Sequence, residues 1–401
     1  MYIGKFMNCV VDFIKKETVL CIALLLAVVS AFIIPPDREY IGYIDFRTLA
    51  ILFCLMSVMA GMQKLGVFKW IAHGLLRHVK NPRSLVQVLI LMCFFFAMFI
   101  TNDVALITFV PFTFTVLGLM GKEQQNKLIL PLVALQTIAA NLGSMLTPIG
   151  NPQNLYLYGK AGMSIVNFIM LMLPYTLFSL VLLLIFGTFL GKQCKGEWKP
   201  EMENVKNTER TEGWESADAQ KNEDFRSKKG LITLAVYLIL FLLCLLTVAH
   251  VLPWQAVFVI VFAVILVMDR KILKSVDYSL LLTFVGFFVF IGNVGRIDVF
   301  RSFLQGVVAG REVYASIAAS QIISNVPAAL LLSGFTQNYE ELLIGVNLGG
   351  LGTLIASMAS LISYKYVAKQ EPSRKGEYIR FFTISNVCFL AMLVFFYIII
   401  K

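Results

Sequence analysis

FFFAMFITNDVALITFVPF, residues 94–112, sets Thr101, Asn102 and Asp103 in the middle of an otherwise apolar run. A carboxylate at membrane depth costs about 2.5–3.5 kcal/mol even on the lenient insertion scale, so such a residue is functional by default. Two apolar arms around a polar tip read as a helical hairpin, here over residues 85–117. A second apolar hairpin carries Ser324, Asn325 and Val326 at its middle. Two further apolar spans are interrupted by polar, glycine-rich segments: NLGSMLTPIGNPQN at residues 141–154 and GVNLGGLGTLIASMAS at residues 345–360. Gly143, Pro148, Gly150 and Pro152 cannot all sit in an unbroken helix, so that span is discontinuous.

Outward from these segments the chain is 58% hydrophobic and only 14% charged. Soluble domains average about 25% charged residues, so the solvent of this chain is lipid. Further apolar spans lie at residues 18–34, 48–62, 128–140, 165–190, 231–248, 254–268 and 280–292, with a last one ending at 400. The reading is an all-α, polytopic membrane protein of about nine spans plus two re-entrant helical hairpins. Lys5, Lys15 and Lys16 precede the first span as in a secretory signal peptide, and Val29, Ser30 and Ala31 loosely resemble a cleavage site. A retained helix is favoured, because a matching span precedes the second hairpin half. Residues 191–229 are polar and read as a cytoplasmic loop joining two halves, with room for one surface helix.

The net charge is +10, yet Lys and Arg gather at the ends of apolar segments and form no basic stripe. That is a topology signal and argues against nucleic acid as a partner. The seven cysteines, Cys9, Cys21, Cys54, Cys93, Cys194, Cys244 and Cys388, are scattered without a CxxC pair and read as packing residues. His73, His78 and His250 fall in interfacial or loop segments and are assigned no chemistry. No nucleophile, base and orienter set stands out, which argues against an enzyme. No glycine-rich phosphate loop precedes a Lys-Ser or Lys-Thr pair, so ATP-driven transport by this chain alone is excluded.

The two halves repeat one order of features: span, Asp at a span entrance, amphipathic stretch, hairpin with Asn at the tip, broken helix, final span. Asp45 matches Asp277, and Phe68 matches Phe300, at one constant offset (277 − 45 = 300 − 68). In the breaks Asn141, Gly143 and Thr147 match Asn347, Gly349 and Thr353 at another (347 − 141 = 353 − 147). An ordered set of matches of this kind marks an internal repeat. The first repeat is assigned to residues 1–190, the loop to 191–229, and a linking span with the second repeat to 230–401.

Five crossings separate Asp45 from Asp277 apart from the hairpin, so the second repeat is inverted. The basic clusters at residues 5–16, 64–83, 122–127, 191–229, 270–274 and 365–380 fall on one side if the N-terminus is cytoplasmic and the C-terminus outside. Inverted repeats with broken helices place substrate and ion at the repeat interface near the midplane. The N-terminal ends of interrupted helices favour anions and their carbonyl ends favour cations. The candidate binding residues are therefore Thr101, Asn102 and Asp103 of the first tip and Ser324 and Asn325 of the second. The breaks add Asn141, Gly143, Thr147, Pro148, Gly150, Asn151 and Asn154, with Asn347, Gly349, Gly350, Thr353 and Ser357. A sodium ion, as coupling ion and not as a resident cofactor, is expected at Asn102, Asp103 and Asn325. Asp45 and Asp277 stand where spans begin, and helix capping explains them as well as transport does.

TNDVALITFVPF, NLGSMLTPIGNPQN, SNVPAALLLSGF and GVNLGGLGTLIASMAS resemble the signature segments of the ion transporter superfamily. That group holds citrate and dicarboxylate/sodium symporters, arsenite permeases and some sodium/proton antiporters. The resemblance implies secondary transport of a small anion across the cytoplasmic (inner) membrane, coupled to sodium or protons, by a homodimer whose hairpins and broken helices move like an elevator against a scaffold. In the dicarboxylate branch each tip reads Ser-Asn-Thr, with Asn and Ser at sodium and Thr at the carboxylate. Here Asp103 and Val326 replace the two threonines. An Asn-Asp tip is more similar to the arsenite permease and antiporter branches.

Overall fold

The computed structural model describes residues 17–77, 79, 81–193 and 227–401. Of the loop expected at residues 191–229, residues 194–226 lie outside the described residues, as do Lys5, Lys15, Lys16, Cys9, His78, Lys80 and Cys194, while Gly191, Lys228 and Lys229 belong to the flanking helices. The described residues form helices joined by short turns, with no strand among them.

In chain order the first half contains α1 (Thr18–Ile33), α2 (Phe46–Lys64), α3 (Val67–Leu76), α4 (Pro82–Ile100), α5 (Asn102–Gly118), α6 (Lys122–Ser144), α7 (Pro152–Ala161) and α8 (Ile165–Gly191). The second contains α9 (Lys228–Val248), α10 (Trp254–Asp269), α11 (Tyr278–Gly295), α12 (Asp298–Val308), α13 (Glu312–Ile323), α14 (Asn325–Ser333), α15 (Tyr339–Leu348), α16 (Met358–Gln370) and α17 (Lys375–Ile400). Among the described residues seven helices are long and apolar enough to cross a membrane. Counting the shorter α1 and α10 and treating α6–α7 and α15–α16 as one broken span each, there are nine spans beside the α4–α5 and α13–α14 hairpins. The chain is a polytopic helical membrane protein.

Local chemistry sets the helix starts. The Asp45 side chain accepts from the Thr48 amide (3.0 Å) and the Asp277 side chain from the Leu280 amide (2.9 Å), so Asp45 caps α2 and Asp277 caps α11. Asn81 caps α4 through the Ser84 amide (2.8 Å) with Pro82 as the first helical residue, where its missing N–H is no loss. Exposed Leu231, Ile232, Leu238, Ile239 and Leu242 on α9, with Phe395, Ile398 and Ile399 on α17, form faces too apolar for water and suited to lipid.

The halves interlock by exchange. α1 of the first half packs along α11 of the second, and α10 packs along α2. Ala23 lies so close to Gly286 that a Cβ there would sit 3.0 Å from the Ala23 carbonyl carbon. Ser30 of α1 accepts from buried Asn293 of α11 (3.0 Å), and Arg296 at the end of α11 reaches back to Asp37 (2.7 Å) and the Tyr43 hydroxyl (3.1 Å). α1 is thus an integral part of the fold. Each hairpin follows the same exchange. Its first arm packs on the first half-helix of its own repeat (α4 on α6, α13 on α15), and its second arm packs on the second half-helix of the other (α5 on α16, α14 on α7).

His250, in the turn after α9, binds α2 to this arrangement. Its Nε2 lies 3.2 Å from an Arg47 guanidinium nitrogen and its ring rests on Tyr158 of α7. Burial, and then the Arg47 charge, hold its pKa below the usual imidazole value. A depressed imidazole pKa leaves the fold at full strength above the unfolded value of about 6.5 and weakens it as pH falls below that value. His250 also has φ 62°, which Asn tolerates. Acidification from pH 7.5 to 5.5 should therefore lower the melting temperature of the wild type more than that of His250→Asn; equal pH slopes in a thermal unfolding series would remove His250 as the responsible group.

Candidate functional site

The two hairpin tips share one backbone conformation. Thr101 (φ 69°, ψ 152°) and Ser324 (φ 74°, ψ 155°) occupy a region essentially reserved for glycine, at about 1–3 kcal/mol each. The strain persists because the next residue is anchored. The Asn102 N–H donates to the Gly150 carbonyl (3.3 Å) and the Asn325 N–H to the Ala356 carbonyl (2.9 Å). These acceptors are themselves repeat counterparts (356 − 150 = 347 − 141). A second pair of matched bonds runs the other way: the Thr147 hydroxyl donates to the Met98 carbonyl (2.5 Å) and the Thr353 hydroxyl to the Gln321 carbonyl (3.2 Å). Each tip is stitched to the break of its own repeat.

Helices α5, α7, α14 and α16 all begin at these tips and breaks. Their first-turn N–H groups lack helical partners and carry the positive end of the helix dipole. Helices α6 and α15 end there, directing carbonyls to the same place. Glycine permits the close approach: a Cβ on Gly143 would lie 2.0 Å from the Phe94 carbonyl oxygen, so α4 and α6 touch backbone to backbone.

One amide and hydroxyl network crosses between the repeats. Asn102 Nδ2 donates to Asn141 Oδ1 (2.9 Å), which also accepts from the Ser357 hydroxyl (2.9 Å). Asn141 Nδ2 donates in turn to the Gly350 carbonyl (3.4 Å). Asn347 Nδ2 donates to Asn154 Oδ1 (2.7 Å), and Asn154 Nδ2 donates to the carbonyls of Ser144 and Thr147 (both 3.2 Å). Asn151 is tied to the Ser144 hydroxyl (2.7 Å). Asn325 lies over the second break, since a Cβ on Gly350 would sit 2.9 Å from its Nδ2.

The residues singled out from sequence thus lie at two tips and two breaks that contact one another. Asp45 and Asp277 belong elsewhere, at their helix caps. Three polar atoms or groups at the site stand ready for a ligand. Asp103 Oδ1 and Asn347 Oδ1 are buried without a hydrogen-bond partner among the described residues. The Asn325 side chain is 4% exposed and no described hydrogen bond engages its amide. Sequence reading missed Ser144, which two site asparagines use as a partner, and Gln321, whose amide spans the second break. Gln321 was detectable as the single long amide in its apolar arm, three residues before the tip residue Ser324.

Nine spans, two hairpins and a shared polar centre define a membrane transporter, and comparison with known proteins agrees. The chain is 32% identical over 333 residues to an uncharacterized transporter of Methanocaldococcus jannaschii, covering 82% of each chain. It is 30% identical over 355 residues to the inner membrane protein YbiR of Escherichia coli, covering 85% of this chain and 86% of that one. A shorter match, 31% identical over 143 residues, covers 35% of this chain and 28% of a silicon efflux transporter of Oryza sativa. The family model described as Citrate transporter matches residues 10–359, and the chain belongs to that family.

The tip strain is measurable. In Thr101→Gly the relieved strain of about 1–3 kcal/mol exceeds the roughly 0.5–1 kcal/mol entropic penalty of glycine. Thr101→Gly should therefore raise stability by about 1 kcal/mol in detergent unfolding. Ser324→Gly should gain less, because Ser324 also donates to the Ala356 carbonyl (3.4 Å).

Proposed function

We propose that this protein is a secondary active transporter of a small anion, a carboxylate or an inorganic oxyanion, coupled to sodium or protons. It sits in the cytoplasmic membrane with its N-terminus inside and its C-terminus outside. The observation that carries this reading is the meeting of two strained, asparagine-bearing tips with two helix breaks in one network. The bonded network consists of amides, hydroxyls and backbone groups. A substrate anion there is met by helix N-termini and amide N–H groups, without a fixed cationic side chain. Such a site binds an anion best when a cation enters with it, and the free Asp103 carboxylate supplies the place for that cation or for a proton. Asn102, Asp103 and Asn325 are the proposed sodium ligands, because hard cations of this class take oxygen donors from carboxylates, amides and backbone carbonyls.

The same chemistry supports a movement model. The hairpins and half-helices form one packed unit with α8 and α17, while α1, α2, α9, α10 and α11 form another. Displacement of the first unit against the second, in a homodimer held together by the second, gives alternating access by an elevator motion. Rigid-body movement around a fixed site is the usual mode of inverted-repeat transporters.

A second reading is efflux of arsenite or antimonite, or sodium/proton exchange. The acidic tip residue Asp103 favours it, and the partial match to a silicon efflux transporter is in keeping with an export direction.

Flux into proteoliposomes under imposed sodium or proton gradients tests both readings, with carboxylates, sulfate and arsenite as substrates. Gradient-driven, saturable flux of one of these is expected, and its absence for every anion under both gradients would sink the anion-transport reading. Asp103→Asn should abolish gradient coupling. A coupling cation present at 100 times its dissociation constant stabilises the wild type by about 2.7 kcal/mol. That increment should vanish in Asp103→Asn, as read by thermal unfolding in sodium against choline chloride.

A further inference from the structure

The repeats share Asn102 with Asn325, Asn141 with Asn347, Gly143 with Gly349 and Thr147 with Thr353, and one of the positions at which they differ is Met98, where the second has Gln321 (321 − 98 = 325 − 102). The Gln321 side chain fills the second break. Its Nε2 donates to the carbonyls of Gly349 (3.0 Å), Leu351 (2.9 Å) and Ile317 (3.2 Å), while its Oε1 accepts from the Thr353 N–H (2.8 Å). The backbone is shaped to admit it. A Cβ on Gly352 would lie 2.2 Å from Oε1, and Gly352 has φ 109°.

The first break is closed differently: Asn154 Nδ2 reaches the carbonyls of Ser144 and Thr147, and no described side-chain amide reaches those of Gly143 and Met145. The counterparts of Gly349, Leu351 and Thr353 are Gly143, Met145 and Thr147. Met98 is buried there, and its thioether has no proton to donate. The Gly143 carbonyl accepts from the Leu146 N–H (3.2 Å), but no described hydrogen bond reaches the Met145 carbonyl. At the neighbouring tip Asp103 brings a buried carboxylate oxygen with no partner, where the second tip has the apolar Val326 (326 − 103 = 325 − 102). Among the described residues the first repeat therefore leaves the Met145 carbonyl and an Asp103 carboxylate oxygen unpaired, whereas in the second the matching Leu351 carbonyl is bonded by Gln321 and the tip carries no carboxylate.

We propose that the protein binds a single coupling cation, in the first repeat, and that the Gln321 amide group stands permanently in the position a second cation would take. This rests on the cation-coupled reading of the site. The electrostatics are direct: an –NH2 group presents its partial positive charge to three carbonyls, as a bound monovalent cation would, but it cannot dissociate. With no second ion to hold, the Asn325 amide offers its oxygen to that one cation and its N–H groups to the anion.

The reciprocal exchange of the two residues tests this. Thermal unfolding of the full-length protein in detergent is titrated with sodium chloride at constant ionic strength, with choline as the replacement. The wild type should respond with a Hill coefficient near 1. Met98→Gln, which gives the first break the amide of the second, should lose the sodium response by roughly tenfold or more in apparent affinity while melting in choline no lower than the wild type. Gln321→Glu, which replaces the donor by a carboxylate, should gain a second, independent sodium-dependent increment. A wild-type Hill coefficient near 2, or a Met98→Gln protein that folds and keeps the wild-type sodium response, overturns the single-site proposal. Absence of any response to sodium or to pH in the wild type, with Asp103→Asn identical, is a different result: it overturns the cation-coupled reading beneath it.

Discussion

Backbone polar groups inside a membrane must find partners within the protein, and the rest of this structure follows from how two hairpin tips and two helix breaks meet that demand. Each break exposes amides and carbonyls that lipid would penalise by several kcal/mol. The partners are found close at hand: the Asn102 amide on Gly150, the Asn325 amide on Ala356, and the Thr147 and Thr353 hydroxyls on the opposite arm. Among the described residues the buried side-chain atoms left unpaired around the breaks include Asp103 Oδ1, Asn347 Oδ1 and Gln153 Nε2. A fold that spends most of its polar capacity closing its own breaks leaves only a small and well-defined set of atoms for a ligand.

Strain and support go together at the tips. Thr101 and Ser324 hold glycine-like dihedrals that no local preference favours. They are held by long-range bonds to the breaks and by close backbone contact at Gly143. The dihedrals of the two tips agree within a few degrees, so the two stitched units share one backbone frame. Differences between the repeats then carry information, because identical frames present different side chains. Asp103 against Val326 and Met98 against Gln321 are two of those that change charge or hydrogen-bonding capacity at the site.

The tips and breaks were legible in the sequence because polar or helix-breaking residues in a lipid-facing composition have few explanations. Asp103 among phenylalanines and Pro148 beside Gly150 are of this kind. The caps at Asp45 and Asp277 were legible for the same reason, each standing directly before an apolar run. Partnership was less visible. Nothing in the spacing of Asn102 and Asn141 says that their amides meet, or that Ser357 of the other repeat joins them. Gln321 escaped notice because its importance comes from the carbonyls around it, which only the folded break brings together. His250 was set aside as a loop residue, since its contacts with Arg47 and Tyr158 depend on how α2 and α7 are packed.

The exchange of α1 and α10 between the halves has a consequence for biosynthesis. α1 emerges from the ribosome long before α11, yet Ala23 and Ser30 find their partners only on that later helix. The first half therefore waits in the bilayer with an unfilled seam until most of the chain has been translated. Each half completes its packing only with a helix of the other.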